Sequence, residues 1–221
     1  VSNSGVVAAD VSGVGTARKE LAAVGYGTDK AIFGYGSTGS ISSLTNLVSN
    51  SGVVAADVSG VGSARIGLAA ATYGGDKGIF AYGSTGGSNR LSISNLVNNS
   101  GTVASDVSGV GTARTQLAAC SFGGDKAIFG YGRPSSGLTA VTNKVSNSGV
   151  IAADVSGVGT VRRNLAACSF GGDKGIFGYG YDSGKLSMSN LVSNSGTVAS
   201  DVSGVGTARD ALAAAGFSTS A

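Results

Sequence analysis

The chain repeats itself, and no other feature limits its fold as strongly. The phrase Val-Ser/Asn-Asn-Ser-Gly begins at Val1, Val48, Val97, Val145 and Val192, a period of 47 to 49 residues. Each copy runs through a Val/Ala-rich stretch (Val6 to Val11 in the first), a link like Ser-Gly-Val-Gly-Thr-Ala-Arg, and Leu-Ala-Ala with a Tyr or Phe. Asp-Lys-x-Ile-Phe-x-Tyr-Gly, a polar loop and a closing apolar stretch such as Leu44 to Val48 follow. A unit this short cannot hide its own apolar face, so neighbouring units must cover one another. The chain is therefore read as one repeat domain, 1–221, with units starting near 1, 48, 97, 145 and 192.

Period-2 alternation and turn residues mark four extended pieces in the first unit, 6–11, 21–26, 30–35 and 43–49, and no helical stripe occurs. Tyr26-Gly27-Thr28-Asp29 and Asn50-Ser51-Gly52 carry hairpin chemistry, because Gly reaches positive φ freely and Asn and Asp bond their own backbone. Four short strands per unit, repeated, form the sequence pattern of a β-propeller. The expected fold is all-β, a propeller of four-stranded blades. Five blades are expected with the last incomplete, because Asp-Lys-x-Ile-Phe occurs in four units while the half before it occurs in five. A four-bladed ring with overhanging ends and a β-layered fibre are the alternatives. Unpaired sheet edges would also permit strand exchange or self-association.

Three columns, 26/73/122/170/217, 33/80/129/177 and 35/82/131/179, hold all the aromatics except Tyr181. Alternation puts Phe33 and Tyr35 on one face, packed against small residues of the next unit, so the columns are read as core. Arg18-x-x-Leu21-Ala22-Ala23 followed by Gly27-x-Asp29-Lys30-x-Ile32-Phe33-Gly34 resembles kelch repeats over about half of each complete unit. The kelch Gly-Gly doublet is Gly-Tyr-Gly here (Gly34 to Gly36), and the kelch Trp is absent. The resemblance implies kelch-like blades with the Leu21-type strand innermost. The repeat wording is also similar to that of repetitive proteins of marine bacteriophages, which implies a virion or extracellular setting.

The chain contains no His, which removes Ser-His-Asp, Cys-His and imidazole-metal chemistry together. A carboxylate pair would need two acids in different environments, but all except Glu20, Asp182 and Asp210 lie in two repeat-equivalent columns. No enzyme and no cofactor is expected. Asp10-Val11-Ser12-Gly13-Val14-Gly15 resembles a calcium loop only superficially, since valine stands where further oxygen ligands belong. An Asx turn or a salt bridge to the Arg18-type residue is the expected role. The Asp column (Asp10, Asp57, Asp106, Asp154, Asp201) and the Arg column (Arg18, Arg65, Arg114, Arg162, Arg209) are thus read as a register-setting scaffold. Gly34 to Gly39 fits Gly-x-Gly-x-x-Gly, but follows a strand with no helix after it, and is read as a turn. Cys120 and Cys168 occupy equivalent places in facing sheets, too far apart for a disulfide.

The net charge of +3 comes from singly scattered residues, so no nucleic-acid partner is expected, and no apolar run is long enough for a spanning helix. The units differ in the polar loop (37–43, 84–92, 133–140, 181–187) and just after the link arginine (19–20, 66–67, 115–116, 163–164, 210–211). In an up-and-down sheet, alternate connections emerge on the same side, so both variable sets share one face. Arg90, Arg133, Tyr181, Asp182 and Lys185 are its candidate contact residues, for a protein or glycan partner. The expectation is a non-catalytic structural or adhesive module, with a calcium-dependent or carbohydrate-active propeller as the alternative.

Overall fold

The computed structural model describes residues 6–216; Val1 and Phe217, named above in the repeat and aromatic columns, lie outside them. The fold is all-β, with no helix among the described residues. Twelve strands form four separate three-stranded antiparallel sheets in chain order. The first sheet is β1 (Ala22–Tyr26), β2 (Lys30–Gly34) and β3 (Thr45–Val48). The second is β4 (Ala69–Tyr73), β5 (Lys77–Ala81) and β6 (Ser94–Val97), and the third β7 (Ala118–Phe122), β8 (Lys126–Gly130) and β9 (Thr142–Val145). The fourth is β10 (Ala166–Phe170), β11 (Lys174–Tyr181) and β12 (Lys185–Val192).

Three of the four expected pieces are strands. The fourth, the Val6-type stretch, lies along the outer edge of the preceding unit's sheet and pairs with it only at isolated bridges, such as Thr45 with Val58 and Val48 with Val54. The unit that starts at Val192 supplies the matching edge to the fourth sheet through Val198 and Val202, and residues 203–216 add no strand. The β11–β12 pair runs longer than its equivalents, past a bulge between Gly178 and Gly180.

Each sheet packs on the next through its first strand: β1 on β4, β4 on β7, β7 on β10, with each also touching the second strand of the following sheet. Three hydrophobic clusters fill these junctions. Val24, Tyr26, Ile32 and Tyr35 meet Leu68 and Phe80 at the first, and the same places in later units build the other two. Phe33 and Tyr35 do not share a face, which corrects the simple alternation. Tyr35, Tyr82, Tyr131 and Tyr179 all have positive φ, 62–66°. That left-handed backbone turns each tyrosine away from the face its phenylalanine uses. Tyrosine therefore faces the following sheet and phenylalanine the preceding one, so Tyr35 meets Phe80 edge-on with ring centroids 5.3 Å apart. The repeated cost of positive φ is offset because Tyr35 is fully buried and its N–H donates to the Leu44 carbonyl.

The small residue after Phe33, Phe80 and Phe129 (Gly34, Ala81 and Gly130) receives the next sheet's ring. A Cβ at Gly34 would sit 2.9 Å from Phe80, and one at Gly130 would sit 2.8 Å from Phe177. Two ladders of hydrogen bonds tie the first strands together. Carbonyls of Glu20, Gly67, Gln116 and Asn164 accept from the N–H groups of Gly67, Gln116, Asn164 and Ala211 at 2.8–3.1 Å. Hydroxyls of Thr72, Ser121 and Ser169 donate to the carbonyls of Gly25, Thr72 and Ser121. On the opposite edge, Gly27 N–H donates to Asp76 carbonyl, Gly74 to Asp125 and Gly123 to Asp173, and the Asp29 and Asp76 side chains accept from Asn50 and Asn99 of the following unit.

Candidate functional site

The charge columns form an inter-unit latch whose central residue was not singled out from the sequence. Arg65, Arg114 and Arg162 are fully buried, each lying over the tyrosine of the preceding unit (Tyr35, Tyr82, Tyr131) at 4.1 Å. Each guanidinium donates to an asparagine of its own unit's third strand: Arg65 to Asn95 at 2.6 Å, Arg114 to Asn143 and Arg162 to Asn190 at 2.7 Å. Arg18 makes the same bond to Asn46. The other end of each asparagine donates to the aspartate of the next unit at 2.9 Å: Asn46 to Asp57, Asn95 to Asp106, Asn143 to Asp154, Asn190 to Asp201. The Arg–Asp pairing that charge counting suggests is present between units for Arg65–Asp106 and Arg162–Asp201 at 4.0 Å, and an Asn stands between the partners as the hydrogen-bonded bridge. The signal was present as an Asn at one fixed place in every third strand (Asn46, Asn95, Asn143, Asn190), hidden because a single Asn in a strand reads as a side chain facing water.

Of the two roles expected for these aspartates, the Asx turn is not the one they take. Their carboxylates reach across to the preceding unit's link and accept from Thr16, Ser63, Thr112 and Thr160, with hydroxyl contacts of 2.6–2.7 Å. Hydrogen bonds from Thr16 and then Asn46 hold the Asp57 carboxyl below its usual range. For Asp106, Asp154 and Asp201, burial pushes upward, but the same kinds of hydrogen bond outweigh it and the carboxyls are again lowered. A calcium ion would have to displace these protein donors. No group of three or more Cys, Asp or Glu side chains placed to hold a metal occurs among the described residues. Asp10 precedes the first sheet, where no link or asparagine of an earlier sheet stands among the described residues, and Arg209 lies over Tyr179 at 4.4 Å. Cys120 and Cys168 are free thiols, and burial pushes Cys120 up to about 12.

The two variable sets meet on one side of the sheets. Lys19 bridges Ser37, Ile66 bridges Ser84, Thr115 bridges Arg133 and Arg163 bridges Tyr181. Arg133 and Lys185 are exposed. Arg90 folds back on its own loop, donating to Ser84 Oγ at 2.9 Å and the Gly87 carbonyl at 2.7 Å. Tyr181 is half-buried with Arg163 over its ring at 5.4 Å, and Asp182 caps its own turn by accepting from Ser183 and Gly184. Tyr181, Asp182 and Lys185 thus share one hairpin tip, while Arg90 and Arg133 stand on the loops of other units.

Beside these loops, one cavity of about 510 Å³ is lined by the same two places of all five units, from Glu20-Leu21 through Gly67-Leu68, Gln116-Leu117 and Asn164-Leu165 to Ala211-Leu212. The backbone of this row is occupied by the first ladder, and Glu20 is its single charged side chain. No family model matches the chain, and none of the curated proteins compared with it matches either.

Proposed function

We propose that the chain is a non-catalytic structural or adhesive module, an arc of kelch-like propeller blades, that serves in a virion or extracellular assembly and contacts a protein or glycan through its loop face. What supports the propeller geometry is that five equivalent positions line one cavity and that neighbouring sheets touch mainly through their first strands, as blades do when they splay from an axis. What carries the binding reading is the contrast between the two edges. Invariant Gly-x-Asp-Lys turns are consumed in bonds between units, while unit-specific side chains such as Arg133 and Lys185 extend from bridged, well-anchored loops. The repeated aspartates Asp57, Asp106, Asp154 and Asp201 are committed to inter-unit hydrogen bonds, which favours recognition through the loops over chemistry at that column.

A glycan array and a surface-binding assay against assembly proteins, run with and without calcium, test this reading. The double variant Arg133→Ser, Lys185→Ser should lose bound ligand with an unchanged melting temperature, and calcium should change neither. Binding indifferent to the loop variants, or binding that requires calcium, would replace this reading with the calcium-dependent one.

A further inference from the structure

The three internal junctions are copies of one interface, and among the described residues the two ends of the stack present its two separate halves. At each junction a phenylalanine from the following sheet covers the small residue after the phenylalanine of the preceding sheet: Phe80 on Gly34, Phe129 in the cluster with Ala81, Phe177 on Gly130. Phe80, Phe129 and Phe177 are 0% exposed, whereas Phe33, with no sheet before it among the described residues, is 37% exposed. At the other end, a Cβ on Gly178 would have nothing within 4 Å, in contrast to Gly34 and Gly130. The space above Gly178 belongs to an apolar groove of about 370 Å³ walled by Cys168, Ile176, Tyr179, Ser189 and Leu212. Knob and hole therefore sit at opposite ends of one molecule.

We propose that a second copy of this chain docks head-to-tail, with Phe33 of one copy entering the groove over Gly178 of another. The occupant is set by continuity with an interface the chain already makes three times: the face carrying Phe33 is the partner that the β10–β12 face meets everywhere else in the repeat. Residues 203–211 already supply part of the template, since Tyr179 Oη donates to the Val205 carbonyl at 3.1 Å and Arg209 lies over the Tyr179 ring. The segment that must give way is 212–216, which forms no strand and is mostly exposed. The incoming β1, with nearly the same Leu-Ala-Ala sequence, takes its place beside β10. On the incoming copy the redundant stretch is 7–14, also exposed and outside any strand.

A heterologous contact has a signature that a symmetric one lacks. Sedimentation velocity from about 1 μM to about 1 mM should show association of the unaltered chain, with alkylation of Cys168 slowing severalfold over the same range. Phe33→Thr removes the knob and Gly178→Val fills the hole; each alone should lose the associated species while keeping the melting temperature. Mixed together, each variant still carries one sound end, so a one-to-one dimer should return. A chain that stays monomeric throughout, or an associated species that either variant leaves intact, would overturn the proposal. So would a mixture that fails to restore the dimer. Loop-face binding is unaffected by either end variant, so failure here leaves the adhesive reading standing.

Discussion

Phe80 and Phe33 hold the same place in the repeat, yet one is sealed between sheets and the other faces outward. The same division runs through the charged residues: the Arg114 side chain is buried with Asn143 and Tyr82 as partners, while that of Arg209, among the described residues, meets its tyrosine. What differs is the surroundings: Phe33 has no preceding sheet against it and Arg209 no third strand of its own unit among the described residues. Stability in such a chain belongs to junctions more than to units.

The largest effect should come from an interior knob. Phe129→Ala should cost about 3–5 kcal/mol in urea unfolding, because it leaves a cavity among Ala81, Tyr82 and their neighbours. Phe33→Ala, at the open end, should cost about 1 kcal/mol or less. Equal losses would mean that the junctions are not the source of stability. Next comes the latch. Asn143→Ala removes a hydrogen-bond partner from the buried Arg114 and from Asp154 together, and should cost about 2–3 kcal/mol. Arg209→Met, which breaks only a ring contact and one hydroxyl bond, should cost about 0.5–1 kcal/mol.

Strand places, hairpins and the core role of the aromatics were legible because they follow from period-2 alternation and from glycine and aspartate in turns. Three features were not. The flip between Phe33 and Tyr35 depends on positive φ at a tyrosine, a conformation that propensity disfavours and that only tertiary packing holds. The Arg–Asn–Asp latch joins residues from two units across sequence separations such as 28 (Arg18 to Asn46) and 11 (Asn46 to Asp57), which no local pattern reveals. The Val6-type stretch reads as a strand by composition, yet in the later units it meets a sheet edge through isolated bridges and a few hydrogen bonds, such as Ala55 N–H to the Leu47 carbonyl, and forms no continuous ladder. Of the candidate loop residues, sequence variation located the face, but it gave no sign that Arg90 and Asp182 are spent on their own loops.

A smaller contrast lies in the glycines. Gly130→Val forces a side chain into the Phe177 ring and should cost about 1–3 kcal/mol, whereas Gly178→Val enters open space and should change stability by no more than about 0.5 kcal/mol. The smallest effect is acid sensitivity. Asp57, Asp106, Asp154 and Asp201 are held below the ordinary 3.8 in the folded chain, so the folded state binds fewer protons than the unfolded one. Their contribution is complete above pH 3.8 and declines as pH falls through the lowered folded-state values. The urea midpoint should therefore drop below that pH, and Asp154→Asn should flatten the drop.

The most direct measurement is the set of nuclear Overhauser contacts at the junctions. The ring protons of Phe80 should contact the Gly34 Hα and those of Phe177 the Gly130 Hα, with both Hα resonances shifted upfield by the ring above them. Gly178 Hα in the dilute monomer should show neither effect. Rings that contact residues two units away, or the absence of any contact between successive units, would contradict a chain whose sheets cover one another in order.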